Sequence, residues 1–433
     1  MMARAPSPEA MDLTITTLGP AQHPCPLRDS GSLLIDDAER ILLGSTTAAL
    51  DASNEPVAFE RAGPRAKLFF EPGQVTAGIV TCGGLCPGLN NVIRSVVHTL
   101  HHHYGARRIL GFRYGYAGLS TGRPAEPLEL TPDLVESIHE QGGTILGSSR
   151  GPQDLGEMAA NLERWGVDLL FTIGGDGTLR GASALSAELA RRGRPTAVVG
   201  IPKTIDNDLL WVERSFGFVT AVEEASQAIL AAHAEARGAW NGVGLVKLMG
   251  RHAGFITAHA TLASSDVNFC LVPEVPFTFD GFARALEHRL SARHHAVVVV
   301  AEGADQQLVD SDGAVRDASG NRRLADVGVA LRDRLKAHFA ERGFPMTLKY
   351  IDPSYTIRSR PAGSFDAAFC LELGQHAVHA AMAGKTDCMV GFWNRHFTHV
   401  PLHVATERRR QMNPTGALWS RILEATGQPA EMV

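Results

Sequence analysis

Leu169-Leu170-Phe171-Thr172-Ile173-Gly174-Gly175-Asp176-Gly177-Thr178, followed further on by Ala197-Val198-Val199-Gly200-Ile201-Pro202-Lys203-Thr204-Ile205-Asp206-Asn207-Asp208, decides how this chain is read. Each stretch opens as an apolar run of strand length and closes in a loop rich in Gly or Asp, the pattern of a buried strand bounded by a turn. In an open parallel sheet ligands gather beyond the carboxyl ends of the strands, so both loops are expected to face one site. Glycines let a phosphate chain approach the backbone. Asp176 is a carboxylate suited to Mg²⁺, and Asp206 with Asp208 offers a pair able to hold a base near a hydroxyl. Together they imply phosphoryl-transfer chemistry.

Outward from these loops the same alternation repeats. Val75 to Thr81, Ile109 to Phe112, Val243 to Leu248, Ala296 to Ala301 and Cys388 to Phe392 read as further strands. Helical spacing is expected through Leu89, Val92, Ile93, Val96, Val97 and Leu100, and around residues 131–141, 178–192, 219–236, 279–294, 324–342 and 363–384. Repeated βα units predict mainly parallel sheets with helices on both faces. They are too many for one sheet of usual size. The expected fold class is therefore α/β, with two Rossmann-like three-layer domains and a cleft between them. Residues 1–72, with weak periodicity, read as an N-terminal extension.

A length of 433 residues suits two or three domains, and 44% hydrophobic with 20% charged residues is ordinary for a soluble enzyme. The net charge of -5 gives no reason to propose nucleic acid or membrane binding. No charged start precedes a long apolar stretch, so a cytoplasmic location is expected. The six cysteines are scattered. Cys82 and Cys86 have a metal-like spacing but no second close pair, which favours structural roles.

The remaining candidates lie at strand ends. The turn Thr81-Cys82-Gly83-Gly84-Leu85-Cys86-Pro87-Gly88-Leu89-Asn90 joins a strand to a helix and can hold anionic oxygens on its N–H groups, although such a turn is as often purely structural. Asp176 coordinates Mg²⁺ in the functional reading and is a helix N-cap in the bland one. Ser148-Ser149-Arg150-Gly151 can bring Arg150 onto a phosphoryl group, and Met249-Gly250-Arg251 can set Arg251 between phosphoryl and acceptor. Glu302 is placed to accept from sugar hydroxyls, and Lys349, Tyr355 and Arg358 form a set fit for a sugar phosphate. Each alone reads equally well as a surface residue or ion pair. The run His101-His102-His103 reads as a solvated helix end, because adjacent side chains point in different directions.

In family order, the Thr81 to Asn90 turn, Ser149-Arg150-Gly151, Gly174 to Thr178, Pro202 to Asp208, Met249-Gly250-Arg251, Ala301-Glu302-Gly303 and Tyr350 to Arg358 resemble the 6-phosphofructokinases. Pro202-Lys203-Thr204 with Leu245 to Arg251 is similar to the branch of plants, trypanosomatids and some bacteria. The resemblance implies ATP-dependent transfer of the γ-phosphoryl to the 1-hydroxyl of fructose 6-phosphate, with Mg²⁺, in a homodimer or homotetramer. Asp206 is then the base, Asp176 serves Mg²⁺, and Arg150 and Arg251 stabilise the transferring group. Thr204, Ile205, Asp206, Met249, Gly250, Arg251, Glu302, Lys349, Tyr355 and Arg358 hold the sugar phosphate. Gly83, Gly84, Tyr116, Arg150, Gly175, Asp176, Gly177 and Thr178 line the donor. Residues 73–217 plus 357–407 are expected as the donor domain, and 218–356 plus 408–433 as the fructose 6-phosphate domain.

Two residues of the resemblance pull in opposite directions on the donor. Gly177 leaves room for the α-phosphate of ATP, whereas Lys203 accompanies pyrophosphate use. Gly177 carries more weight, because a steric and like-charge block is harder to evade than an extra cation. Pyrophosphate-dependent transfer is the alternative. A non-catalytic sugar-phosphate-binding subunit is the outsider, set against by the presence of Asp176 and Asp206. NAD and lipid kinases share the Gly-Gly-Asp-Gly-Thr feature but do not require the Asp206 loop. Two family features are absent here. Gly242 stands where bacterial enzymes place a sugar-phosphate arginine, and Arg94 with His98 only partly matches the bacterial effector pocket.

Overall fold

The computed structural model describes residues 11–45, 57–120, 126–305 and 325–433. They form two units. The first comprises the described residues of Met1–Thr204, Leu209–Phe216 and Pro361–Arg408, and the second Ile205–Asp208, Gly217–Arg360 and Arg409–Val433. The loop carrying Asp206 and Asp208 thus belongs to the second unit, while Lys203 and Thr204 belong to the first.

The first unit is built on a nine-stranded sheet. Its centre is parallel, in the order Cys388–Trp393, Ala197–Pro202, Leu169–Gly174, Thr76–Thr81 and Arg108–Phe112. These are the strands expected from the apolar runs, and the three innermost are buried at every position. Helices Leu89–Tyr104, Leu155–Arg164, Asp176–Arg191 and Ser364–Met382 accompany them. Val80, Leu170, Leu179, Leu185 and Val198 share one core on a sheet face. The sheet edges are antiparallel. Leu128–Glu129 closes one side, and His396–Pro401, Ala58–Arg61 and Arg40–Leu42 the other. The segment expected as an extension therefore supplies two edge strands.

The second unit holds a four-stranded, wholly parallel sheet in the order Phe269–Leu271, His295–Ala301, Gly242–Leu248 and Thr347–Ile351. Its helices include Phe218–Arg237, Phe255–Ser264, Phe279–Arg293 and Val327–Glu341. One core gathers Ile229, Val246, Ile256, Val297 and Ile422, and another gathers Val243, Leu245, Phe282, Leu331 and Val298. The alternating sets come from opposite faces of the same strands, as expected for a sheet covered on both sides.

One expected element is absent. Residues 131–141 form turns and a single short 3₁₀ segment, Ile138–Glu140, instead of a helix. Only Val135 and Ile138 are buried there and Leu134 is exposed, too little apolar surface to offset helix nucleation. The other helices fall within a few residues of expectation; residue 324 lies outside the described residues. No helix among the described residues is long and apolar enough to cross a membrane.

The N-terminal edge strands are tied in by a buried polar knot. Glu60 accepts from Arg65 at 2.8 Å, Lys385 at 2.6 Å and His399 at 2.8 Å. Burial opposes ionisation of Glu60, but His399 and Lys385 outweigh it and hold its carboxyl well below the usual range. Removing one member of such a cluster leaves buried charge uncompensated. Glu60→Gln is expected to destabilise the first unit by about 3–5 kcal/mol, read as a lowered Tm. An unchanged Tm would show that the knot adds no net stability.

Candidate active site

Strand register builds the first cluster. Pro202 pairs with Gly174, and Ile173 with both Ile201 and Thr81, so three loops leave the first sheet at one level. From the central Thr76–Thr81 strand the chain runs to Arg108–Phe112 on one side and later to Leu169–Gly174 on the other. That is the switch point at which open sheets bind ligands. The segment before Arg150 is stitched to the first loop. Thr81 donates to the Gly147 carbonyl at 2.6 Å, Ser148 to the Gly83 carbonyl at 2.6 Å, and the Gly83 N–H to the Ser149 carbonyl at 3.0 Å. Arg150 is exposed, with its guanidinium 3.1 Å from where a Gly84 side chain would begin. Lys203 is buried, and its ammonium lies 3.6 Å from the equivalent point at Gly83. Both cations thus border the glycine turn.

Asp176 is the first residue of its helix. The N-cap is Gly175, which makes no side-chain cap, so the N-cap reading of Asp176 does not hold. Its carboxylate instead accepts from the Nε–H of Arg180 at 3.2 and 3.3 Å. Beside it, a Cβ added to Gly177 would meet nothing within 4 Å. Gly174 is the opposite case, because a side chain there would collide with Thr178, 2.2 Å away. Tyr116 and Thr178 form the wall behind the loop. Tyr116 is buried and donates to the Thr178 carbonyl at 2.7 Å. Burial also pushes the Cys82 thiol up to about 11, and the Cys86 thiol donates to the Phe216 carbonyl at 3.3 Å. Both cysteines are buried and free of disulfides. Among the described residues no cluster of His, Cys, Asp and Glu is able to hold a metal on protein ligands alone. A lone carboxylate nevertheless fits Mg²⁺, which keeps water and phosphate oxygens as its other ligands.

The second unit carries the second cluster. Leu248 pairs with Ala301, so Met249-Gly250-Arg251 and Glu302 leave adjacent strand ends together. Gly250 has φ +124, a conformation that other residues rarely adopt, and a side chain there would stand 2.6 Å from the Ala253 carbonyl. This turn aims the Arg251 N–H at Asp206, 3.5 Å away, and sets the Arg251 side chain 4.0 Å from Glu302. Met249 is buried and Ile205 packs against the same core, so both shape the site from behind. Arg358 arrives by a relay that the sequence did not reveal. Lys247 pairs with Asp352 at 2.7 Å, Asp352 accepts from the Ser354 N–H at 3.1 Å, and there the short helix Ser354–Arg358 begins. The Arg358 guanidinium lies over the exposed Tyr355 ring at 4.9 Å.

The two carboxylates of the loop have different surroundings. Asp208 is buried and paired with Arg409 at 3.0 Å. Asp206 has a buried Oδ1 without any hydrogen-bond partner. Burial, then the charges of Asp208 and Glu302, push its carboxyl up to about 8, against the Arg251 N–H and the Arg358 charge. A carboxyl of that kind binds and releases a proton near neutral pH.

Lys349 does not join this cluster. It pairs in register with Gly244, four residues before the strand end at Leu248, and its exposed ammonium lies 4.0 Å from Glu235. Arg180 and Arg409 are the residues that sequence reading missed. The first is legible from its i,i+4 spacing to Asp176; the second is far from Asp208 in sequence and leaves no local signal.

The chain is similar to known proteins over most of its length. The family model described as Phosphofructokinase matches residues 76–381. The ATP-dependent 6-phosphofructokinase of Amycolatopsis methanolica is 48% identical over 97% of this chain and 95% of its own length. The protein of the same description from Trypanosoma brucei brucei is 46% identical over 96% and 87%. Among solved structures, the pyrophosphate-dependent phosphofructokinase of Marinobacter aquaeolei superposes with a TM-score of 0.68 at 20% identity, over 82% of this chain and 91% of that one. At that identity the likeness speaks to the fold alone.

The environment of Asp206 has a consequence for stability. Its folded pKa lies above the unfolded value of 3.8, so the folded state holds the extra proton and loses stability as pH rises from 4 through 8. Asp206→Asn lacks that loss. The variant is expected to melt above the wild type at pH 9, with the gap closing by pH 5. Equal melting curves at both pH values would mean that Asp206 is not in a charge-averse site.

Proposed function

This chain belongs to the phosphofructokinase family, and from that premise we propose that it is an ATP-dependent 6-phosphofructokinase. It transfers the γ-phosphoryl of ATP to the 1-hydroxyl of D-fructose 6-phosphate, giving fructose 1,6-bisphosphate. The observation that carries the reading is Asp206, a carboxylate with one buried, unpartnered oxygen and a proton affinity matched to neutral pH. Phosphoryl transfer demands little of its base, which orients the hydroxyl and accepts its proton late. Asp208 is held by Arg409 and is left as the structural member of the pair.

Placement supports one role for each residue. Asp206 accepts the proton of the 1-hydroxyl. Arg251, on the turn set by Gly250, stabilises charge developing on the phosphoryl oxygens. Glu302 accepts from sugar hydroxyls, and Arg358 with Tyr355 takes the 6-phosphate. In the first cluster, the Gly83-Gly84 turn and the start of the Asp176 helix receive the donor phosphates, with Arg150 at the transferring group. Asp176 would hold Mg²⁺, which supplies charge neutralisation on the donor oxygens.

ATP as donor is supported by the open space beside Gly177 and by the relatives' activity. One observation favours pyrophosphate: the buried Lys203 ammonium against the Gly83 turn places a strong cation where a small dianionic donor would sit. Initial rates with fructose 6-phosphate and Mg²⁺ separate the readings. Turnover with ATP and none with equal pyrophosphate is expected. Faster turnover with pyrophosphate would overturn the donor assignment, and no turnover with either would overturn the activity.

The base itself has a kinetic signature. Because only ionised Asp206 accepts the proton, kcat/KM should fall about tenfold per pH unit below roughly 8. Asp206→Ser should lose several orders of magnitude in kcat with sugar-phosphate affinity little changed. A variant as active as the wild type would remove the mechanism.

A further inference from the structure

We propose that Arg180 selects a donor with three phosphates over one with two, an inference that rests on the activity proposed above. Arg180 lies four residues after Asp176 and three after Gly177 on the helix Asp176–Arg191. Residues at these spacings are surface neighbours, with Cβ atoms about 5–6 Å apart. The guanidinium therefore borders both the metal carboxylate and the space beside Gly177, where a side chain would find nothing within 4 Å.

Two bonds hold it at this corner. Its Nε–H meets both Asp176 oxygens at 3.2 and 3.3 Å, and its terminal nitrogen donates to the Thr406 carbonyl. The second bond distinguishes it from a mere i,i+4 surface pair, because Thr406 lies far along the chain and fixes the side chain from outside the helix. A guanidinium has five N–H donors. Two of its nitrogens are engaged in these bonds, and the side chain remains 55% exposed, so N–H groups stay available to an incoming anion.

A polyphosphate seated at the helix start, with its terminal groups at Asp176, continues past Gly177 only if it is long enough. Two phosphates are accommodated at the loop. The third reaches the open space and there meets Arg180, whose charge-assisted N–H bonds are strong and directional. Gly177 then provides the volume for a longer donor, and Arg180 provides the attraction.

The test is calorimetric titration of the whole chain with the magnesium complexes of AMP-PNP and of pyrophosphate. Arg180→Gln and Arg180→Lys are compared with the wild type. The exposed position leaves the fold unaffected, which melting curves verify. For Arg180→Gln, the Kd for the triphosphate analogue should rise about tenfold or more, while that for pyrophosphate stays within about threefold; Arg180→Lys should recover part of the loss. With ATP, KM should rise while kcat is largely kept. Equal shifts for both ligands, or no shift, would overturn the inference and leave the activity standing. Loss of kcat at unchanged KM would likewise assign Arg180 a structural role. A wild-type protein that binds pyrophosphate but not AMP-PNP would overturn the donor assignment and the inference together.

Discussion

The candidate site of the first unit hangs on the register of three parallel strands. Parallel pairing fixes Thr81, Ile173 and Ile201 at one level, and the loops that follow have no choice but to open on the same edge. The strands themselves carry no chemistry. They are buried at every position, and their Val, Ile and Leu content is what fully covered sheets require. The second sheet repeats the device with Leu248 level with Ala301. Hydrophobic burial thus does the positioning, and the loops are free to be made of Gly, Asp and Arg.

Within the loops, environment rather than residue type assigns roles. Asp206 and Asp208 stand two apart and are chemically identical. One is neutralised by Arg409, and the other keeps an oxygen without a partner and faces two negative neighbours. Asp208 is paired with Arg409, and its charge raises the proton affinity of Asp206. A carboxyl of raised proton affinity and a charge that raises it thus come from one short loop, stiffened from behind by Ile205.

Most of this was legible in the sequence because the decisive signals are local. Apolar runs ending in Gly or Asp located the strand ends, and the motifs located Asp176, Asp206, Arg251 and Glu302. Signals failed where structure depends on long-range pairing. The strands Arg40–Leu42 and Ala58–Arg61 are too short to show periodicity and exist because His396–Pro401 offers an edge. The Lys247–Asp352 relay to Arg358 joins two strands. Lys349 was misleading for the opposite reason. Its charge and motif context suggested phosphate, but its register sets it well below the strand end. The expected helix at 131–141 had the spacing of an amphipathic turn without enough surface to bury.

The open corner at Gly177 bears on how such a chain changes over generations. Every glycine codon becomes an acidic codon when its middle base is replaced by adenine, so a carboxylate is one mutational step away at this position. At Gly174 such a step would drive a side chain into Thr178. Here it enters empty space, one helical turn from the Arg180 guanidinium, where an i,i+3 ion pair receives it. Packing around Gly177 therefore sets no steric barrier to the replacement. A lineage built on this scaffold can vary this corner without passing through a misfolded ancestor.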